Sequence, residues 1–220
     1  MAEVEKVDVG HLNTNCYLVW GRERRECAIV DPGDDAEVVE NRIRDLDLVP
    51  KLIIATHAHF DHLLAVNELK LAYDIAFYMH RNDLPLLSWM RKSSIRFTGF
   101  DPGPHPIADG FFKEGDRIII DNFELEVLET PGHTPGGVCF YNREDKTMFT
   151  GDTIFAGGTV GRTDFPYCNK SDLKKSIKKL LKFSGDVVIY PGHGEDSTLA
   201  EFSSAYFIQK NSPMGESSLS

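Results

Sequence analysis

No apolar run in this 220-residue sequence approaches the roughly 18 residues that a membrane-crossing helix needs, so a membrane partner is not expected. Positive charge is in deficit: 24 lysines and arginines face 34 aspartates and glutamates, for a formal net charge of −10. An acidic surface repels phosphate backbones, so nucleic acid is not an expected partner either. Cysteine is scarce and scattered. Cys16, Cys27, Cys139 and Cys168 form no C-x-x-C pair, and the expectation is free, reduced, mostly buried thiols. Only Cys168, beside a candidate site loop, invites the rival reading of a disulfide partner or reactive thiol. Met1 to Gly10 is acidic and lacks the apolar stretch of a secretory signal, so a cytoplasmic location is expected.

What is present suits a folded chain. Apolar residues make up 41% and charged residues 26%, enough for a hydrophobic core at this length. Residues 1–210 are expected to form one domain and 211–220 a polar tail. Asn15 to Trp20 and Glu26 to Asp31 read as strands, the second ended by the Asp31-Pro32-Gly33 turn. Asp34 reads as an N-cap for a helix with Val39, Ile43 and Leu46 on one face, closed by Pro50. Leu52 to Ala55 reads as a strand buried on both faces. A helix carrying Leu64, Leu69 and Ala72 follows, then a strand at Ile75 to Met79 and a helix at Asn82 to Met90. Phe97 to Ala108 reads as an irregular loop. Trp89, Met90 and Phe97 read as core or packing residues, with a place beside a substrate as the alternative.

The second half opens with a hairpin, Arg117 to Ile120 and Phe123 to Leu128, around Asp121-Asn122. Strands are expected at Val138 to Tyr141, Thr147 to Phe149 and Asp186 to Tyr190. Ser171 reads as the cap of a helix bearing Leu173, Ile177, Leu180 and Leu181, and a last helix runs from Leu199 to Ile208. Two halves, each with strands first and helices later, suit an α/β chain with two sheets packed face to face and helices outside.

Five of the eight histidines lie in three short motifs, each after an expected strand. His57-x-His59-x-Asp61-His62 packs four candidate ligands into six residues. On an extended segment alternate residues point the same way, so His57 and His59 can converge on one ion. A turn into a helix would redirect Asp61 and His62 toward a second. Imidazole and carboxylate together suit zinc, iron or manganese. Thr130-Pro131-Gly132-His133-Thr134-Pro135-Gly136 sets one histidine in a stiff loop. Gly151-Asp152-Thr153 and Pro191-Gly192-His193-Gly194 complete the set. Taken singly, His133 is an ordinary loop histidine and Asp152 a turn residue. In combination, all four segments end strands on what could be one edge of the fold.

The order H-x-H-x-D-H, then His, then Asp, then His resembles the metallo-β-lactamase superfamily, over Asn13 to Gly194. The resemblance implies a four-layer αββα sandwich with two divalent metal ions at one edge of the sheets, zinc first and iron or manganese as other candidates. It implies that His57, His59 and His133 hold one metal, that Asp61, His62 and His193 hold the other, and that Asp152 bridges them. A hydroxide between the metals is the implied nucleophile, with Asp61 as the residue that orients it. Asn13-Thr14-Asn15-Cys16-Tyr17-Leu18 resembles the opening of glyoxalase II-like hydrolases. Gly151 to Phe155 with Gly161 to Pro166 is similar to their compact bacterial subgroup. Glyoxalase II cleaves S-lactoylglutathione, and a thiolate leaves without a strong general acid. The expected function is therefore metal-dependent hydrolysis of a thioester, with a small-molecule substrate such as a glutathione conjugate.

Larger glyoxalase II enzymes hold glutathione with a C-terminal helical domain, and here one helix and a tail follow His193. Arg162 is the candidate for a substrate carboxylate, with a structural salt bridge as its alternative. Persulfide dioxygenases carry a very similar Gly-Arg-Thr-Asp-Phe stretch and hold a single iron, which by analogy would use His57, His133 and Asp152. A lactonase or a non-catalytic metal-binding module are further alternatives, although a degenerate module would be expected to lose ligands and every motif position is present.

Overall fold

Residues 2–211 are described by a computed structural model, and its first strand, β1 (Ala2–Val9), lies in the acidic stretch that sequence patterning did not single out. Its alternating Glu and Val residues make a half-buried edge that pairs antiparallel with β2 (Thr14–Gly21). The rest of the first sheet is β3 (Glu26–Val30), β4 (Val49–Ile54), β5 (Ala76–His80) and β6 (Gly110–Phe112). The second sheet is β7 (Arg117–Ile120), β8 (Phe123–Glu129), β9 (Val138–Asn142), β10 (Thr147–Gly151), β11 (Val188–Pro191) and β12 (Ser197–Thr198). Spatial order equals chain order in both sheets. Strands β3 to β6 run parallel, as do β10 and β11.

Period-2 alternation on β2 decides how the layers stack. Tyr17 and Val19 face the second sheet, against Phe140, Phe149 and Leu125. Cys16, Leu18 and Trp20 face the other way, toward α1 (Ala36–Asp45), α2 (Val66–Tyr73) and α3 (Leu84–Thr98). On the far side of the second sheet, α4 (Lys170–Leu180) and α5 (Leu199–Asn211) bury Leu173, Ile177, Leu199 and Phe202 against Met148 and Ile189. The result is the expected four-layer αββα sandwich.

Several boundaries differ from the sequence reading. Pro50 does not close α1 but sits inside β4, at a register shift where its missing N–H is tolerated. The residue before α1 is Asp35, in a left-handed conformation and without a side-chain cap, rather than Asp34. Helix α3 runs on to Thr98 and takes in Phe97, because no breaker intervenes before Gly99, whose φ of 76° ends it. The cap of α4 is Asn169, whose side chain accepts from the amides of Ser171 and Asp172. The expected tail lies outside the described residues apart from Asn211, which ends α5. No helix among the described residues is long and apolar enough to cross a membrane.

Candidate metal centre

The candidate ligands all follow the C-terminal ends of strands: His57 to His62 follow β4, His133 follows β8, Asp152 follows β10 and His193 follows β11. A 3-10 turn at Phe60–His62 brings Asp61 and His62 toward His193, while the His57 and His62 ring centroids stay 4.1 Å apart. Two donor groups result. In the first, His59 Nδ1 lies 3.0 Å from His57 Nε2 and 3.0 Å from His133 Nε2, and Asp152 Oδ2 lies 3.5 Å from His133 Nε2. In the second, Asp61 Oδ2 lies 3.3 Å from His193 Nε2 and 3.7 Å from His62 Nε2. Asp152 stands between the groups, with Oδ1 3.6 Å from His62 Nε2 and Oδ2 3.8 Å from His193 Nε2. All seven expected ligands therefore converge, and both groups have the spacing of a metal-binding set.

Each ring has a partner on its outward side. His133 Nδ1 donates to the Arg162 carbonyl at 2.9 Å, and His193 Nδ1 to the carbonyls of Leu12 and Asn13 at 3.2 Å. A carbonyl only accepts, so the proton of each neutral ring sits on Nδ1 and Nε2 is bare. His57 Nδ1 meets the Thr56 hydroxyl at 3.1 Å, and that hydroxyl is already donating to Asp31. His62 Nδ1 meets Asp31 Oδ2 at 3.1 Å, and His59 Nε2 meets the Tyr167 hydroxyl at 2.9 Å. Outer partners of this kind fix tautomer and ring orientation in metal sites.

The electrostatics agree with a cation. Burial, then the neighbouring imidazoles, hold His57 well below the ordinary imidazole value, and burial and His133 do the same to His59. Burial opposes charge at Asp61, yet His62 and the hydrogen bond with His193 hold its carboxyl below the usual carboxylate range. At His62 burial is again opposed, here by Asp61, Asp152 and Asp31, which push it up to about 10. The second donor group thus lies in a strongly negative field. His62 Nε2 and Asp152 Oδ1 are buried without a hydrogen-bond partner. Five imidazoles and two carboxylates gather here, which is the donor chemistry of zinc, iron or manganese. Bonds of about 2.0–2.1 Å in a tetrahedron would set ligand atoms roughly 3.3 Å apart, close to the spacings found.

Two glycines are required by close approach. A Cβ on Gly192 would lie 2.3 Å from Asp152 Oδ1 and 2.7 Å from His62 Cε1, and one on Gly33 would lie 2.0 Å from the Asp61 carbonyl. The His193 loop is further tied to β2. The Asn15 amide donates to the carbonyls of Pro191 and Gly194, both at 2.9 Å, and the Tyr17 hydroxyl to Pro191 at 2.6 Å.

Three contributing residues escaped the sequence reading. Asp31 appeared there only as a turn residue. Asp83 is wholly buried and accepts from the amides of Ala58, at 3.0 Å, and Gly136, at 2.5 Å, so it ties the His57 loop to the His133 loop. Tyr167 partners His59. The signal for Asp31 and Asp83 was an aspartate one or three residues beyond a parallel strand, a cue common to many ordinary turns.

Arg162 lines the cavity beside the donors, but its Nε and Nη2 are engaged by Asp164, at 2.6 and 2.5 Å, and the guanidinium lies 4.3 Å from the Phe165 ring centroid. The salt bridge weighed as its alternative is thus formed. Trp89, Met90 and Phe97, read mainly as packing residues, line that same cavity of about 320 Å³. Beyond it lies a wider groove of about 650 Å³ between α3 and Phe165 to Tyr167.

A family model described as the metallo-β-lactamase superfamily matches residues 9–193. The chain is 37% identical over 201 residues to hydroxyacylglutathione hydrolase GloC of Haemophilus influenzae, covering 90% of this chain and 93% of that protein. Among solved structures it is similar to BLEG-1 B3 metallo-β-lactamase, with a TM-score of 0.86 at 30% identity over 94% of this chain and 99% of that one. It is also similar to TTHA1623 in a di-iron-bound form, with a TM-score of 0.84 at 37% identity over 92% and 98% of the two chains.

Proposed function

The chain belongs to the metallo-β-lactamase superfamily, and from that premise we propose that it is a binuclear metallo-hydrolase that cleaves thioesters of the S-acylglutathione kind. The observation that carries the proposal is the convergence of five imidazoles with Asp61 and Asp152, five of these seven side chains lining one cavity. His57, His59 and His133 would hold one divalent ion, and Asp61, His62 and His193 the other, with Asp152 shared. Zinc suits the donors. Iron suits them too, and the di-iron form of a similar protein supports it.

When bound, such a pair of ions supplies a Lewis acid and activates water at neutral pH. The chain's own residues do the rest. Asp61 is held ionised by His62 and His193 and lines the cavity, so its carboxylate can accept a hydrogen bond from the attacking water and orient it. Leu86, Met90 and Phe60 give the cavity an apolar wall, which strengthens the electrostatics at its floor. The leaving thiol has an ordinary pKa of about 8.5, so no strong acid is needed beside it. The similarity to hydroxyacylglutathione hydrolase GloC supports a thioester over a lactone.

A mononuclear iron persulfide dioxygenase would use only His57, His133 and Asp152, a two-histidine, one-carboxylate set. Persulfide dioxygenases resemble this chain in its histidines too, so the two readings differ in metal count rather than in the residues present. In the mononuclear one His59, 3.0 Å from both His57 and His133, and the second donor group hold no ion. Elemental mass spectrometry on the purified protein separates the two. About two ions per chain, with hydrolysis of an S-acylglutathione, is expected of the hydrolase. One iron per chain with oxygen uptake on glutathione persulfide would overturn it, as would turnover that survives His59→Ala.

A further inference from the structure

The outer groove beyond the donor cavity carries uncompensated positive charge in a strongly acidic protein. Helix α3 presents Trp89, Lys92, Ser93, Arg96 and Phe97 to it, the i, i+3, i+4, i+7 and i+8 positions of one helix face. Phe165 to Tyr167 form the opposite wall. Two carboxylates next to these segments are already neutralised. Asp101 is held by both Nε and Nη2 of Arg91 at 2.7 Å, and Asp164 is held in the same two-point fashion by Arg162. Lys92 and Arg96 are exposed, and neither takes part in an ion pair among the described residues; Arg96 has only the face of Phe97, 5.7 Å away.

We propose that Lys92 and Arg96 form a carboxylate-recognising subsite for the far end of the substrate. Its reacting end would lie at the donor cluster and its body against Trp89, Phe97 and Phe165. The occupant is an S-substituted thiol that bears carboxylates, and Arg162, committed to Asp164, is not the main recognition residue. The subsite deepens the thioester-hydrolase reading by naming where the thiol portion is held. A purely structural role for Arg96 also has a physical basis, since it lies in the last turn of α3 where the helix dipole favours a cation. The two roles differ in what they predict for binding.

Tryptophan fluorescence offers the test without turnover. Trp89 is 56% exposed on the groove and Trp20 only 8% exposed in the core, so Trp89 is the reporter. The probes are S-hexylglutathione and its dimethyl ester, which keep the same apolar arm and differ in carboxylate charge. Wild-type protein is expected to bind the free acid about tenfold or more tightly than the ester, the scale of a charge-assisted hydrogen bond. Lys92→Ala/Arg96→Ala is expected to remove that preference and leave ester binding and Tm in place. Equal affinity of the wild type for both probes, failure to bind either, or a preference that persists in the double variant overturns the subsite. Hydrolysis of S-lactoylglutathione by the wild type is measured alongside. Charge-selective binding without turnover would sink the hydrolase reading and leave the subsite standing, and turnover without charge selectivity would do the reverse.

Discussion

Asp31 Oδ2 lies 3.1 Å from His62 Nδ1 and also receives the Thr56 hydroxyl at 2.6 Å, while its other oxygen takes the Thr56 amide at 2.7 Å. One carboxylate at the end of β3 therefore fixes the start of the His57 to His62 segment and one of its ligands together. Asp31 is 2% exposed, so these contacts are not diluted by solvent.

Asp31→Asn should leave the sandwich folded but loosen His62, because a neutral amide cannot satisfy the same three donors. Outer partners of metal-bound histidines contribute about 10–100-fold in affinity or activity. A chelator competition titration should show a loss of that order for the ion that Asp61, His62 and His193 would hold. An unchanged titration would mean that His62 is oriented by its packing alone.

Metal removal should destabilise the protein, since an ion that binds only the folded chain adds its binding free energy to stability. A ligand at a thousandfold excess over its Kd stabilises by about 4 kcal/mol. For a chain of this length each kcal/mol moves Tm by roughly 2–4 °C. Exhaustive chelation should thus lower Tm by on the order of 10 °C, restored on adding metal back. Identical melting curves for the chelated and metal-replete protein would exclude the donor cluster as a tight metal site.

Gly192→Ala would drive a methyl group against Asp152 Oδ1 and His62 Cε1. Both donors must shift, so metal content measured after gel filtration should fall well below that of the wild type. Full metal content in this variant would show that the loop can move away at little cost.

The thiols should react unequally. Cys16, Cys27 and Cys139 are fully buried, and burial pushes the Cys27 thiol up to about 12 and Cys139 up to about 11. Cys168 is only partly covered, with its thiol donating to the His133 carbonyl at 3.0 Å. Ellman's reagent on native protein should therefore label Cys168 first, and the other three only after unfolding. Equal rates at all four would contradict the buried placement.

Much of the candidate centre was legible because four of its seven candidate ligands lie within six residues and the other three sit in short motifs of their own. His57, His59, Asp61 and His62 follow an apolar run that reads as a buried strand, and His133, Asp152 and His193 each follow a strand beside a glycine. Two halves with strands first and helices later gave two sheets face to face, and the resemblance implied the αββα layering. Which face of β2 meets which layer was not legible, because Cys16 to Trp20 are all apolar. What was not legible depends on contacts far apart in the chain. Asp83 reaches Gly136 across 53 residues, and Tyr167 reaches His59 across 108. Neither pairing leaves a periodic trace. The end of α3 was misplaced for a different reason: Phe97 continues the helix face, while the glycine and prolines that mark the loop begin only at Gly99.

Every strand in both sheets pairs with its neighbour in the chain, whereas His62 and His193 meet across more than half of it. Loops that join sequence neighbours close at low entropic cost, and distant pairings close later. The sheets can therefore assemble first, each from its own half of the chain, and the complete donor set comes into being only when the halves dock. Metal uptake followed during refolding should lag behind the growth of β-structure, so that a captured ion certifies a finished chain.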